Sequence, residues 1–419
     1  MKRRTLALAA LLAAGMALWI GLPPTAPAAI AAPLARQNDP AGWTVGAPTV
    51  ESIYPAGMIF RLRAESSGGP IVRARLVWYR PVLRPGAIRR VQVEEARIDA
   101  GTGELVAVWQ PDGLIMLPPW SVVAYHWELR DAAGSDFETG PQTAEYADHT
   151  RPWIRSESRD AIVFASDLPG DVDRLILDAL AAQRERYEAV WGAALPYAPR
   201  IVLFGDYGAW LEWRTADRST SRTEVVVGQT FDAWGVIAQV LTGFPSEPAY
   251  RELAYSTVLH EMEHLYQAEF LSGRRQADVP GWFYEGDATF FEIEQSYDYL
   301  GRVRALAAAG DLPALLVGLA DAPQVSGRSP RLGYDIGYSF FEWLRESTGG
   351  LEAHRAIMAL LGEDVPFFDA LEQALGRSTG AIERDWRVWL GASEAAPTLV
   401  PTWTPLPFFA TPTPFVYGG

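Results

Sequence analysis

The chain contains no cysteine. Disulfides and thiolate metal ligands are therefore excluded, and any bound transition metal must be held by imidazole and carboxylate. Histidine is scarce as well, at five in 419 residues. Positive charge is in deficit: 36 Lys and Arg stand against 51 Asp and Glu, for a net charge of −15. A nucleic-acid partner is disfavoured, because phosphate backbones bind cationic surfaces. Beyond residue 22 no apolar run approaches the roughly 20 residues that a membrane-spanning helix requires.

The first residues are the exception to the charge deficit. Lys2, Arg3 and Arg4 precede an apolar run over residues 6–22, followed by small residues with A-x-A choices ending at Ala28 or Ala31. This is the pattern of an export signal over residues 1–31. Its removal takes away three positive charges and no acidic ones, which moves the net charge from −15 to −18. Retained, the same run is near the minimum length for a bilayer span and would anchor the chain in the membrane or at the cell surface. Either way the remainder is expected to be secreted or extracytoplasmic.

With 49% hydrophobic residues and all three aromatic types plentiful, the chain can bury real cores, and two domains are expected. Over residues 49–146 the apolar period is two: Ala74, Leu76 and Trp78 alternate with Arg73, Arg75 and Val77, and Val123, Tyr125, Trp127 and Leu129 alternate with Ala124, His126, Glu128 and Arg130. Six or seven short strands separated by turn signals predict an antiparallel β-sandwich, immunoglobulin- or fibronectin-like, over residues 45–150. His126 falls on the polar face of its strand and reads as solvated; His149 lies in the connection that follows.

After Pro152 the period changes. Strand-like runs at 161–165 and 200–204 flank a helical run at 171–191 that stops at Gly192. Two further β-prone stretches, 223–227 and 235–241, are separated by residues 229–234. Beyond the segment 260–292 the chain is predicted almost entirely helical to Leu390, with His354 at a helix surface or partly buried. The expected fold class is α+β, with a mostly helical catalytic domain and a small sheet over residues 151–395. Residues 396–419 are rich in proline and threonine and read as an extended tail or stalk.

The chemistry is concentrated between residues 260 and 292. His260 and His264 are four residues apart, so on a helix they share a face and can direct two imidazoles at one ion. Glu261 lies about 100° round the helix, close enough to act on a ligand of that ion without binding it. Glu285, on a second predicted helix opened by Pro280, is the natural third ligand. Two histidines and a carboxylate with an open fourth position form the pattern of catalytic zinc. Glu292, seven residues after Glu285 and nearly on the same helix face, could orient a ligand histidine; its alternative is a solvated glutamate.

These residues resemble the gluzincin metallopeptidases, in particular the bacterial peptidase MA-like group and, more distantly, the aminopeptidase N and thermolysin families. There a His-Glu-x-x-His helix is followed by a Trp-x-x-Glu-Gly-x-Ala helix, here read as Trp282 to Ala288 with Glu285 and Gly286 in place. The resemblance implies zinc on His260, His264 and Glu285, Glu261 as general base, and a sheet edge beside the metal helix that takes up substrate backbone. Either 223–227 or 235–241 is expected to supply that edge. Tyr334, three residues before Gly337, matches a Tyr-x-x-Gly segment whose tyrosine stabilises the oxyanion; the alternative is a packed tyrosine. No Gly-Ala-Met-Glu-Asn segment is present, which counts against aminopeptidase action. The expected function is an exported zinc peptidase acting on a peptide or protein. Two other readings remain open, a non-catalytic surface-binding or adhesion module and a zinc hydrolase of a non-peptide amide or ester.

Overall fold

Alternating apolar and polar residues give the first hundred described residues two antiparallel sheets. The computed structural model describes residues 42–81, 91–99, 101–111, 117–215, 227–271, 279–316 and 331–395. The export segment, most of the stretch 223–227 and the whole Pro/Thr tail over residues 396–419 lie outside those residues. No described helix is long and apolar enough to cross a membrane.

The strands of the first part are β1 (Trp43–Val45), β2 (Thr49–Ser52), β3 (Met58–Ser66), β4 (Ile71–Tyr79), β5 (Val91–Glu95), β6 (Arg97–Ile98), β7 (Glu104–Trp109), β8 (Val122–Asp131), β9 (Asp136–Glu138) and β10 (Gln142–Glu145). One sheet runs β1-β3-β7-β6 with β2 beside β3, and the other β10-β8-β4-β5 with β9 beside β8. The inward residues meet between the sheets, where Phe60 and Tyr125 lie 5.0 Å apart and Trp78 and Trp109 5.4 Å. The sandwich therefore has ten described strands rather than six or seven, because runs of two to four residues such as β1, β6 and β9 pair at its edges. Such short runs are too brief to show a period.

A third, mixed sheet follows, in the order β11-β12-β13-β15-β14. Its strands are β11 (Ile154–Glu157), β12 (Ile162–Ser166), β13 (Arg200–Phe204), β14 (Gly228–Phe231) and β15 (Val236–Val240). Helix α1 (Val172–Trp191) joins β12 to its parallel neighbour β13 and ends at Gly192, whose φ of 80° suits the left-handed residue that closes a helix. Helix α2 (Tyr207–Thr215) follows β13.

Alternation along this sheet separates two cores. Ile201, Leu203 and Ile237 face the helices, whereas Val202, Phe204, Val236, Ala238 and Val240 face the sandwich and join its core. The joint is largely aromatic: Trp120 stacks on Phe164 at 4.4 Å, and Trp153 meets Phe204 at 5.4 Å. Arg200 closes it by donating to the Trp120 carbonyl at 2.9 Å and to Glu145 at 2.7 Å. From Gly42 onward the described residues form one compact unit.

Of the two stretches expected to supply the sheet edge, 223–227 lies outside the described residues but for Val227, whose carbonyl accepts from Val240 N at 2.9 Å, and 235–241 holds an inner strand. The terminal strand on this side of the sheet is β14, whose last three residues fall in the 229–234 interval read as a separator, and β15 lies between β13 and β14 with every residue buried. β14 reads Gly-Gln-Thr-Phe and has little apolar signal. It becomes a strand by pairing with β15, Gly228 opposite Gln239 and Phe231 opposite Val236.

Candidate active site

The remaining helices are α3 (Glu247–Glu252), α4 (Val258–Phe270), α5 (Gly281–Phe290), α6 (Tyr299–Ala309), α7 (Leu332–Ser347), α8 (Leu351–Gly362), α9 (Phe367–Leu375) and α10 (Thr379–Trp389). Ser246 caps α3, accepting from Ala249 N, and a π-helical turn over Leu253–Thr257 joins α3 to α4. Such wide turns recur at functional sites. Within this one, the Tyr255 carbonyl accepts from Ile293 N at 2.8 Å and from Glu294 N at 3.2 Å, which fixes the chain leaving α5.

Helix α4 buries Val258, Leu259, Met262 and Leu265 and turns His260, Glu261 and His264 away from that core. His260 Nε2 lies 3.2 Å and His264 Nε2 3.6 Å from Glu285 Oε2 on α5. One ligand atom from each of the three residues falls within 4.8 Å of the others. Two ligand atoms that are each 2.0–2.1 Å from a tetrahedral ion sit about 3.3 Å apart, so the two histidines and the carboxylate fit zinc with little rearrangement.

The electrostatics of the cluster are set by two imidazoles held against two carboxylates. Burial opposes charge on His260, yet the Glu285 and Glu292 carboxylates outweigh it and push the imidazole up to about 10. His264 is raised against burial by Glu285. Burial would raise Glu285, but the two imidazoles hold its carboxyl well below the usual carboxylate range.

Glu292 is 7% exposed and lies two residues beyond the last residue of α5, not on that helix's face. From there Glu292 Oε1 reaches His260 Nδ1 at 3.2 Å, while its Oε2 accepts from Ser256 Oγ at 2.7 Å and Tyr299 Oη at 3.4 Å. The departure from a helical position has a local cause: Glu292 N bonds back to the Thr289 carbonyl in a tighter final turn, and the next two amides bond to the π turn instead of continuing α5.

Tyr334 is half-buried, with its ring 5.7 Å from that of His260 and nearly parallel to it. Burial, and then the Glu285 carboxylate that its hydroxyl faces, raise the phenol far above its ordinary value. Tyr338, one turn on, instead donates to Glu342 at 3.2 Å. The approach of Tyr334 depends on two glycines at the crossing of α5 and α7. A Cβ built on Gly337 would lie 2.1 Å from the Trp282 carbonyl oxygen, and one on Gly286 would lie 2.3 Å from Gly337 Cα.

Several site residues carry no motif. Thr230 on β14 donates from Oγ1 to Glu261 Oε2 at 2.5 Å, tying the edge strand to the motif helix. Beside it, a Cβ on Gly228 would lie 2.9 Å from Glu261 Oε1 and 2.2 Å from the Gln239 side chain, so only glycine leaves room there. Beneath the helices, Glu263, Gln267, Asp287 and His354 are all buried. Burial, followed by the Asp287 carboxylate, holds the Glu263 carboxyl far above the usual range, and Trp191 Nε1 donates to it at 2.9 Å.

His354 was expected at a helix surface or partly buried; it is fully buried, 1% exposed, with Nε2 2.9 Å from Asp287 Oδ1. The signal was present, because His354, Ile357, Met358 and Leu361 follow the spacing of a buried helix face. His126 is half-buried, 3.4 Å from Glu138, and His149 stands exposed against the edge of Trp120. Neither approaches the cluster of three ligand-type residues.

No family model matches the chain, and no curated protein does. Among solved structures, it is similar to an M1 zinc metallopeptidase from Deinococcus radiodurans, at 14% identity and a TM-score of 0.35, over 86% of this chain and 96% of that one. It is similar also to Legionella pneumophila aminopeptidase A, at 10% identity and a TM-score of 0.34, over 82% of this chain and 49% of that one. An aminopeptidase N family protein from Idiomarina loihiensis matches at 11% identity and a TM-score of 0.34, over 81% and 72%. At such values the chain's chemistry has to be read from its own geometry.

Proposed function

We propose that this chain is a zinc-dependent peptidase that works outside the cytoplasm. The observation that carries the reading is the convergence of His260, His264 and Glu285 beside Glu261, next to the terminal strand of a sheet. A zinc ion bound by those three residues would polarise the scissile carbonyl and acidify the attacking water. Glu261 is not needed as a ligand. Its hydrogen bond from Thr230 supports a fixed carboxylate that takes the proton from the attacking water and passes it to the leaving amine. Glu292 holds His260 by its Nδ1 edge, the usual means of orienting a ligand imidazole. The Tyr334 hydroxyl, facing Glu285, is the donor to the developing oxyanion. Substrate backbone lies along β14 as an added strand, which brings a peptide carbonyl over the metal helix.

Metal analysis and one substitution test the reading. The purified full chain should carry about one zinc, strongly reduced in His264→Ala and in Glu285→Ala, because loss of one of three ligands leaves a poorly held ion. Glu261→Gln should keep zinc and fold while losing hydrolysis of a peptide library. Unchanged zinc in both ligand variants refutes the site, and a zinc-loaded wild type that cleaves nothing in the library refutes the peptidase.

A further inference from the structure

The buried polar side chains behind α4 are not explained by the roles given to His260, Glu261, His264, Glu285 and Tyr334. Polar groups placed in a core cost stability unless each is hydrogen-bonded. Gln267, Asp287 and His354 are 2%, 0% and 1% exposed and come from α4, α5 and α8.

Their arrangement leads to one atom of the metal cluster. Gln267 Nε2 donates to the Tyr284 carbonyl at 3.0 Å and to Asp287 Oδ2 at 2.9 Å. A backbone carbonyl can only accept, so the amide cannot turn over without setting two oxygens against each other. Gln267 Oε1 is thereby forced toward His264 Nδ1, 2.8 Å away. An amide oxygen only accepts, so Nδ1 must carry the hydrogen. The lone pair of the neutral ring is left on Nε2, the nitrogen that faces Glu285. On its far side Asp287 Oδ1 lies 2.9 Å from His354 Nε2, close enough for an ion pair but without hydrogen-bond geometry.

We propose that Gln267, braced by the Tyr284 carbonyl and Asp287, is a positioning residue that fixes the tautomer and the ring plane of His264 for metal binding. The proposal rests on the metal site put forward above. Glu292 serves the other histidine from a loop. Gln267 serves His264 from three residues further along the same helix, and its amide is oriented by α5, which carries both Tyr284 and Asp287.

The test uses the full chain, stripped of metal and then titrated with zinc against a chromophoric chelator. Gln267→Met preserves length and apolar bulk but removes the acceptor, and zinc affinity should fall 10- to 100-fold. Gln267→Glu keeps an oxygen opposite Nδ1; its second oxygen, facing the Tyr284 carbonyl and Asp287 Oδ2, must carry a proton and can donate to only one of them, so one link to α5 is lost while the acceptor stays, and zinc affinity should stay within about threefold of wild type. A purely structural role, in which the amide joins α4 to α5, predicts equal losses in both variants.

Proton NMR of the cobalt(II)-loaded proteins provides a second readout. Wild type and Gln267→Glu should show a slowly exchanging, paramagnetically shifted Nδ1 proton from His264, and Gln267→Met should lose that signal while keeping the one from His260. Equal affinity losses in the two variants, or a persistent His264 signal in Gln267→Met, overturn the proposal. A wild type that binds no zinc overturns the metal site and the proposal together. A wild type that binds zinc, with Gln267→Met binding equally well, overturns the proposal alone.

Discussion

Gly337→Ala is the sharpest test of how the two helices place Tyr334. The added methyl would stand 2.1 Å from the Trp282 carbonyl oxygen and 2.5 Å from Gly286 Cα, where ordinary contact begins at 3.4 Å. Both obstacles are backbone inside α5, so no rotamer change relieves them. The helices must separate by roughly 1 Å, and overpacking of that severity costs about 3 kcal/mol, the upper part of the usual range. Gly380→Ala is the matched control. It also lies in a helix, with nothing within 4 Å of the added methyl, and should gain about 0.5–1 kcal/mol from helix propensity. Denaturant unfolding of both variants gives the two signs. Tyr334 lies one turn before Gly337, so separation also draws its hydroxyl from Glu285, and a displacement of about 1 Å can lower kcat roughly 10²-fold. Gly337→Ala as stable as wild type would falsify the close crossing on which the argument depends.

Tyr334→Phe should lower kcat about 10²-fold with KM and Tm nearly unchanged, whereas Tyr338→Phe, whose hydroxyl meets Glu342 and Gln295, should leave kcat intact; equal effects in a steady-state assay would remove Tyr334 from the chemistry. Thr230→Val should reduce kcat about tenfold and Thr230→Ser should restore it, because the hydroxyl holds Glu261; loss in both would point to strand packing instead. His260 is raised to about 10, above its unfolded value, so the metal-free protein carries that proton at pH 7. Zinc uptake should therefore release a proton, detected calorimetrically in buffers of different ionisation heat. By the same sign, the stability His260 contributes to the metal-free protein is complete below about pH 6.5 and fades as pH rises through about 10, which a Tm series would reveal. A fragment of residues 151–395 should aggregate on expression, since it uncovers Phe204, Trp210, Val236 and Val240; a monomeric, cooperatively folding fragment would show that the sandwich is dispensable.

The sequence by itself determined what local periodicity can determine. His260, Glu261 and His264 are related by helical spacing alone, and α1 and β13 follow runs whose period and stop signals are complete within the segment. Glu285 was legible because a second helical pattern repeats at a suitable distance. Tertiary structure decided the rest, because burial of polar groups and pairing of weak strands depend on partners far away in the chain. Gly-Gln-Thr-Phe became the edge strand only through β15, and Thr230 met Glu261 only because that edge runs beside α4. Glu292 reached His260 from beyond its helix because the π turn captured the following backbone. Gln267, Asp287 and His354 look like ordinary polar residues of three separate helices, and packing those helices together removed their water and left them to one another.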